Sequence, residues 1–125
     1  MATRVFVSFD YDNDARLKDL LIGQAKNADS PFTVEDWSVK GASATWRQDA
    51  RNRIARSEQV IVLCGRHMAS ATGVNVEIAL ARETATPYFL LAGYDDATRP
   101  SGAQTSDKMY KWTWDNLKLL IAGSR

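Results

Sequence analysis

The sequence predicts an α/β domain: a five-stranded parallel sheet, doubly wound, with helices on both faces. Three observations predict it. Short β-branched or aromatic runs alternate with segments of helical period along the chain. One of these runs, QVIVLCG at residues 59–65, is almost continuously apolar, as a strand buried on both faces must be. Single helices between successive strands impose right-handed crossovers, which make neighbouring strands parallel.

The elements follow in order. RVFVSF, residues 4–9, is the first strand, and the polar run DYDND ends it. A helix follows in which Leu17, Leu20, Leu21 and Gln24 share a face, with Asp12 or Asn13 as its cap. After the breakers at 27–31, PFTVEDWSV (31–39) is the second strand. The loop KGASA leads to Thr45-Trp46-Arg47-Gln48, a capping-box pattern, and its helix turns Ala50, Ile54 and Ser57 or Ala55 inward. QVIVLCG is the third strand. GVNVEIALARE opens the third helix, and PYFLLAGY (87–94) is the fourth strand. A polar loop over 95–108 precedes a short fifth strand in MYKWTW. DNLKLLIAG closes the chain as a helix capped by Thr113 or Asp115. Strand order 2-1-3-4-5, the flavodoxin-like arrangement, is the usual five-strand solution, and ligands of such sheets bind beyond the carboxyl ends of the strands.

Composition narrows the function classes. At 125 residues the chain fits one domain, 1–125, with a substantial core. A net charge of +1 offers no electrostatic grip on nucleic acid or an anionic membrane. No apolar run spans a bilayer and the N-terminus carries no signal-peptide pattern, so a cytoplasmic protein is expected. With one cysteine, Cys64, and one histidine, His67, neither an internal disulfide nor a metal cluster is expected. No Walker loop or G-x-G-x-x-G follows the first strand, which disfavours nucleotide kinases and dehydrogenases.

Glu77 is the conspicuous residue. At about 100° per residue, Val74, Ile78, Ala81 and Ala85 form one apolar stripe, with Glu77 on its flank. Positions three and four residues away are Gly73, Val74, Leu80 and Ala81, so no base on the same helix pairs with it. Such a carboxylate is either a border residue near a helix N-terminus, favoured by the dipole, or a functional group.

Several stretches together resemble the Toll/interleukin-1 receptor (TIR) family. VFVSFDYDNDAR resembles its opening strand and loop. FTVEDWSVKGASATWRQDARNRIARSEQVIVLCG resembles its second strand, BB loop, second helix and third strand. GVNVEIALA resembles the W-x-x-x-E-I-x-x-A segment, with Gly73 where many members carry tryptophan and Val76 where polar residues are frequent. The likeness runs from about residue 3 to residue 94 and is greatest to the bacterial Thoeris-type proteins of anti-phage defence.

The resemblance implies that Glu77 is catalytic in cleaving the nicotinamide–ribose bond of NAD, the substrate, with no cofactor. Nicotinamide leaves a pyridinium as a neutral molecule, so the paired carboxylates of an ordinary glycosidase are not required. One anion beside an oxocarbenium-like ribose suffices in a water-poor pocket. Water as nucleophile gives ADP-ribose; an internal nucleophile gives a cyclic isomer, the product that the Thoeris likeness implies.

Candidate substrate contacts are Phe9, Asp10 and Tyr11 at the end of strand one, against the reading of Asp10, Asp12 and Asn13 as helix caps. Trp37 and Ser38 end strand two, Lys40 and Gly41 belong to a mobile lid, and Arg66 after strand three is placed for a phosphate. His67, Trp112 and Trp114 read as surface or packing residues. The resemblance also implies NAD, a homo-oligomer on activation, a phage-derived trigger and a downstream effector that binds the product. The rivals are a non-catalytic TIR module acting by homotypic assembly and a phosphoacceptor domain, the latter lacking an aspartate after strand three.

Overall fold

The computed structural model describes residues 2–39 and 44–125. The strands are β1 (Thr3–Ser8), β2 (Phe32–Trp37), β3 (Gln59–Cys64), β4 (Tyr88–Ala92) and β5 (Met109–Lys111). The helices are α1 (Ala15–Ala25), α2 (Trp46–Ala55), α3 (Thr72–Glu83) and α4 (Trp114–Ile121), with one 3-10 turn over Met68–Ser70 before α3. All strand pairs are parallel and the order is β2-β1-β3-β4-β5, as the alternating pattern predicts.

Alternation along the strands divides the core in two. Val5 and Val7 of β1 and Phe9 just after it, Ile61 and Leu63 of β3, and Phe89 and Leu91 of β4 meet Leu17 and Leu21 of α1 and Leu117, Leu120 and Ile121 of α4. Phe6, Val60, Val62, Cys64 and Leu90 meet Ala50 and Ile54 of α2 and Val74, Ile78, Leu80 and Ala81 of α3. Period 2 on the strands and period 3.6 on the helices thus divide the buried apolar side chains between two layers. Val60 through Cys64 are fully enclosed, which explains the unbroken apolar run of β3.

Local chemistry departs from expectation in four places. The residue at the start of α1 is Asp14, not Asp12 or Asn13. The Asp10 carboxylate instead accepts from the Asp12 N–H (3.3 Å) and the Asn13 side-chain amide (2.7 Å), a turn that delays the helix. The capping box at α2 does not close: Thr45 Oγ1 donates to Asp49, and the Gln48 amide reaches forward to Asn52. Leu20 is 54% exposed, because the stripe facing the sheet is only wide enough for Leu17 and Leu21. Thr113 does cap α4, accepting from the Asn116 N–H.

The fourth departure ends α3. Ala85 lies outside the helix, with φ at 55°. Thr86 N–H donates to Ala81 O and Ala85 N–H to Arg82 O, the crossed pair of a Schellman termination. That geometry favours glycine, since a β-carbon in the left-handed region costs about 1–2 kcal/mol. Ala85→Gly is therefore expected to stabilise the protein by about 1 kcal/mol, read as a rise in Tm of about 4 °C.

Candidate functional site

The site begins with a bulge. β1 and β2 pair as Thr3–Phe32, Arg4–Thr33 and Val5–Val34, then shift to Phe6–Asp36 and Val7–Trp37, which leaves Glu35 as an extra residue in the edge strand. Extended by one residue, the shifted register sets Ser38 beside Ser8. The Ser38 N–H donates to Val7 O at 3.0 Å and continues the ladder. Ser8 follows the parity of Phe6 and therefore faces α2 and α3.

Glu77 of α3 comes down onto this pair. It is 1% exposed, and one carboxylate oxygen, Oε1, accepts from both Ser8 Oγ (2.7 Å) and Ser38 Oγ (2.5 Å). Ser38 Oγ in turn accepts from the Phe9 N–H at 3.0 Å. The missing partner on its own helix is thus supplied by two strand termini. Burial pushes the Glu77 carboxyl up to about 7, against the opposing pull of the two hydroxyls and, more weakly, of Arg53. The group is half ionised near neutrality, where an exposed glutamate would be fully ionised.

Glu77 lines a cavity of about 340 Å³ at the carboxyl edge of the sheet, walled by Phe9, Asp10, Tyr11, Ser38, Trp46 and Gly73 among others. Phe9 is buried and stacks on Tyr11, which is 49% exposed (centroids 6.2 Å apart). Ser8 and Trp46 are residues of this site that sequence reasoning missed. A β-carbon on Gly73 would lie 3.7 Å from the Trp46 indole, so a ring from α2 packs over that glycine. The Trp46 indole N–H donates to Val39 O at 3.2 Å and anchors the chain just past Ser38.

Four of the seven proposed substrate contacts, Phe9, Asp10, Tyr11 and Ser38, lie together at this cavity. Two lie elsewhere. Trp37 is outside the lining, with Lys18 Nζ 5.4 Å from its ring centroid, because neighbours on a strand point to opposite faces. Arg66 pairs with Asp96 at 2.8 Å and stacks on Tyr94 at 3.9 Å, beyond the ends of β3 and β4. Lys40, like Gly41, lies outside the described residues.

A larger groove of about 700 Å³ runs between α1, α4 and the ends of β4 and β5, walled by Leu17, Leu20, Tyr94, Trp112 and Trp114. It contains no buried acid or base. A buried, perturbed carboxyl converging with hydroxyls marks the smaller cavity as the chemical site. Other reactive groups are quiet: Cys64 is buried and its thiol pushed up to about 12 by burial, and His67 is exposed. Among the described residues no cluster of His, Cys, Asp or Glu could hold a metal ion, and no helix is long and apolar enough to cross a membrane.

No curated protein matches the chain. A family model described as "Thoeris protein ThsB, TIR-like domain" matches residues 6–94, from the second half of β1 through β4, with both serines and Glu77 inside it. The parallel 2-1-3-4-5 sheet agrees with that match, and the chain belongs to the TIR-like domain family of the Thoeris anti-phage defence protein ThsB.

Proposed function

We propose that the protein consumes NAD, cleaving the nicotinamide–ribose bond at Glu77 and making a cyclic ADP-ribose isomer as a signal in anti-phage defence. The observation that carries this reading is the buried Glu77 carboxyl, held by two hydroxyls at a cavity beyond the strand ends. A soluble fold has no structural need for a carboxyl there: an acid that burial raises to about 7 weakens the native state at neutral pH.

The chemistry follows from the surroundings. As the nicotinamide bond lengthens, positive charge moves from the pyridinium ring to the ribose. An anion fixed beside that sugar, in a site poor in water, stabilises the developing oxocarbenium. Nicotinamide leaves neutral and needs no proton, so a single carboxylate is enough. The positively charged nicotinamide ring of the substrate itself favours the ionised form of Glu77. Tyr11 and Trp46 offer flat faces for a ring, and the Asp10 carboxylate keeps lone pairs for a ribose hydroxyl beyond its two loop contacts.

At about 340 Å³ the cavity is at the small end of ligand sites, which run to roughly 1,000 Å³. It suits the reacting half of a dinucleotide. The rest extends past this lining, consistent with a homo-oligomer completing the site on activation, with a phage-derived trigger upstream and an effector that binds the product downstream. Purified protein incubated with NAD, with and without lysate of phage-infected cells, tests this by mass spectrometry. Free nicotinamide in equal amount to a cyclic isomer is expected. Intact NAD under every condition would select the non-catalytic, homotypically assembling module instead.

A further inference from the structure

We infer that Ser8 and Ser38 are positioning residues: a two-hydroxyl clamp that fixes the orientation of Glu77 and favours its anionic form. Their part in turnover rests on the proposed reaction; the clamp itself rests on geometry alone.

Ser8 is fully buried and Ser38 nearly so, and both hydroxyls converge on the same oxygen, Oε1. Each hydroxyl has one proton to give. Ser38 Oγ already accepts the Phe9 N–H, and its other approach, to Val7 O, is long at 3.5 Å, so its proton goes to Glu77. Two donors on one oxygen reward a carboxylate more than a neutral acid, because hydrogen bonds to an ionised acceptor are about twice as strong. The side chain is also held at a point defined by two adjacent strands rather than by its own helix. The Glu35 bulge is what makes this possible, since without the shift Trp37 rather than Ser38 would sit beside Ser8.

The other charged groups around Glu77 act less directly. Arg53 of α2 favours the anion but is shared with Asp36 of β2 at 3.3 Å. Asp10 and Asp12, from the β1–α1 loop, line the same cavity and oppose a further negative charge. Burial opposes it most. The serine hydroxyls are thus the main local counterweight to desolvation.

The test compares the wild type with Ser8→Ala, Ser38→Ala and the double variant. Glutamate carboxyl carbons are followed by carbon-13 NMR against pH, the Glu77 signal being assigned from its loss in Glu77→Gln. Each single variant is expected to raise the Glu77 midpoint by about one pH unit, and the double variant by more. The hydroxyl-retaining Ser8→Thr and Ser38→Thr are expected to restore it. With NAD turnover as a second readout, the rising limb of kcat/KM should move with the NMR midpoint. Midpoints unchanged in all three alanine variants would overturn the clamp, even if NAD is cleaved. Moved midpoints with NAD intact under every activating condition would sustain the clamp and remove the enzymatic reading.

Discussion

Glu77→Gln is expected to make the protein markedly more stable at pH 8 and no more stable at pH 4. The linkage sign decides this. Burial raises the Glu77 carboxyl from the ordinary 4.5 to about 7, so between those values the folded state holds a proton that the unfolded state has lost. Stability contributed at this site is therefore greatest below pH 4.5, falls as pH rises, and levels off above 7. The full difference is about 3 kcal/mol. Glutamine has the same shape, its carbonyl can accept from both serines, and it cannot ionise. A gain of about 2–3 kcal/mol at pH 8 corresponds to a Tm increase of roughly 10 °C. Thermal unfolding of both proteins from pH 4 to pH 9 checks it. A constant offset would mean that the wild-type carboxyl titrates normally in the fold, and a loss that grows with pH would mean that the fold lowers its pKa instead of raising it.

The same substitution is expected to reduce NAD cleavage by about a thousandfold or more. Removing one neutral hydrogen-bond donor aimed at a developing charge costs on the order of 10²–10³ in rate, and a full charge contributes more. Here, among the described residues, Glu77 is the carboxylate that two buried serine hydroxyls hold at the cavity. Wild-type kcat/KM should rise with pH through about 7 and then level off, since that profile reports the free enzyme. The variant would be folded, more stable and inactive, a combination that separates a chemical role from a structural one. Retained activity in a folded Glu77→Gln protein would reassign the residue to architecture.

The fold was readable because its determinants are local. Strand and helix periods, the apolar run at 59–65 and the alternation of elements each act within a dozen residues, and they suffice for a parallel wound sheet. Glu77 was readable as an oddity for the same reason: its helix offers it no partner. Phe9, Asp10, Tyr11 and Ser38 were readable as strand-end neighbours, but the hydrogen bonds that hold Glu77 were not. Ser8 and Ser38 lie 69 and 39 residues away in the chain, and only the one-residue bulge at Glu35 brings them side by side. Nothing in a strand pattern announces a bulge in a charged edge strand.

Trp46 reads from its capping-box pattern as part of a helix start, and its place over Gly73 depends on how α2 packs on α3. Trp37 and Arg66 show the limits of proximity. Adjacency to a strand end leaves the side of the sheet undetermined, and an exposed arginine finds the nearest carboxylate first. The misplaced caps have a related origin, since Asp10, Asp12, Asn13 and Asp14 all compete for one helix start, and the turn closed by Asp10 decides among them.

The central claim, that Glu77 faces the ribose from which nicotinamide departs, is tested most directly by a crystal structure of Glu77→Gln assembled in its activated form with intact NAD. The account predicts the nicotinamide-ribose anomeric carbon within about 3.5 Å of the side chain at position 77, between Tyr11 and Trp46. NAD seated instead in the groove between α1 and α4, with the serine-lined cavity empty, would contradict it.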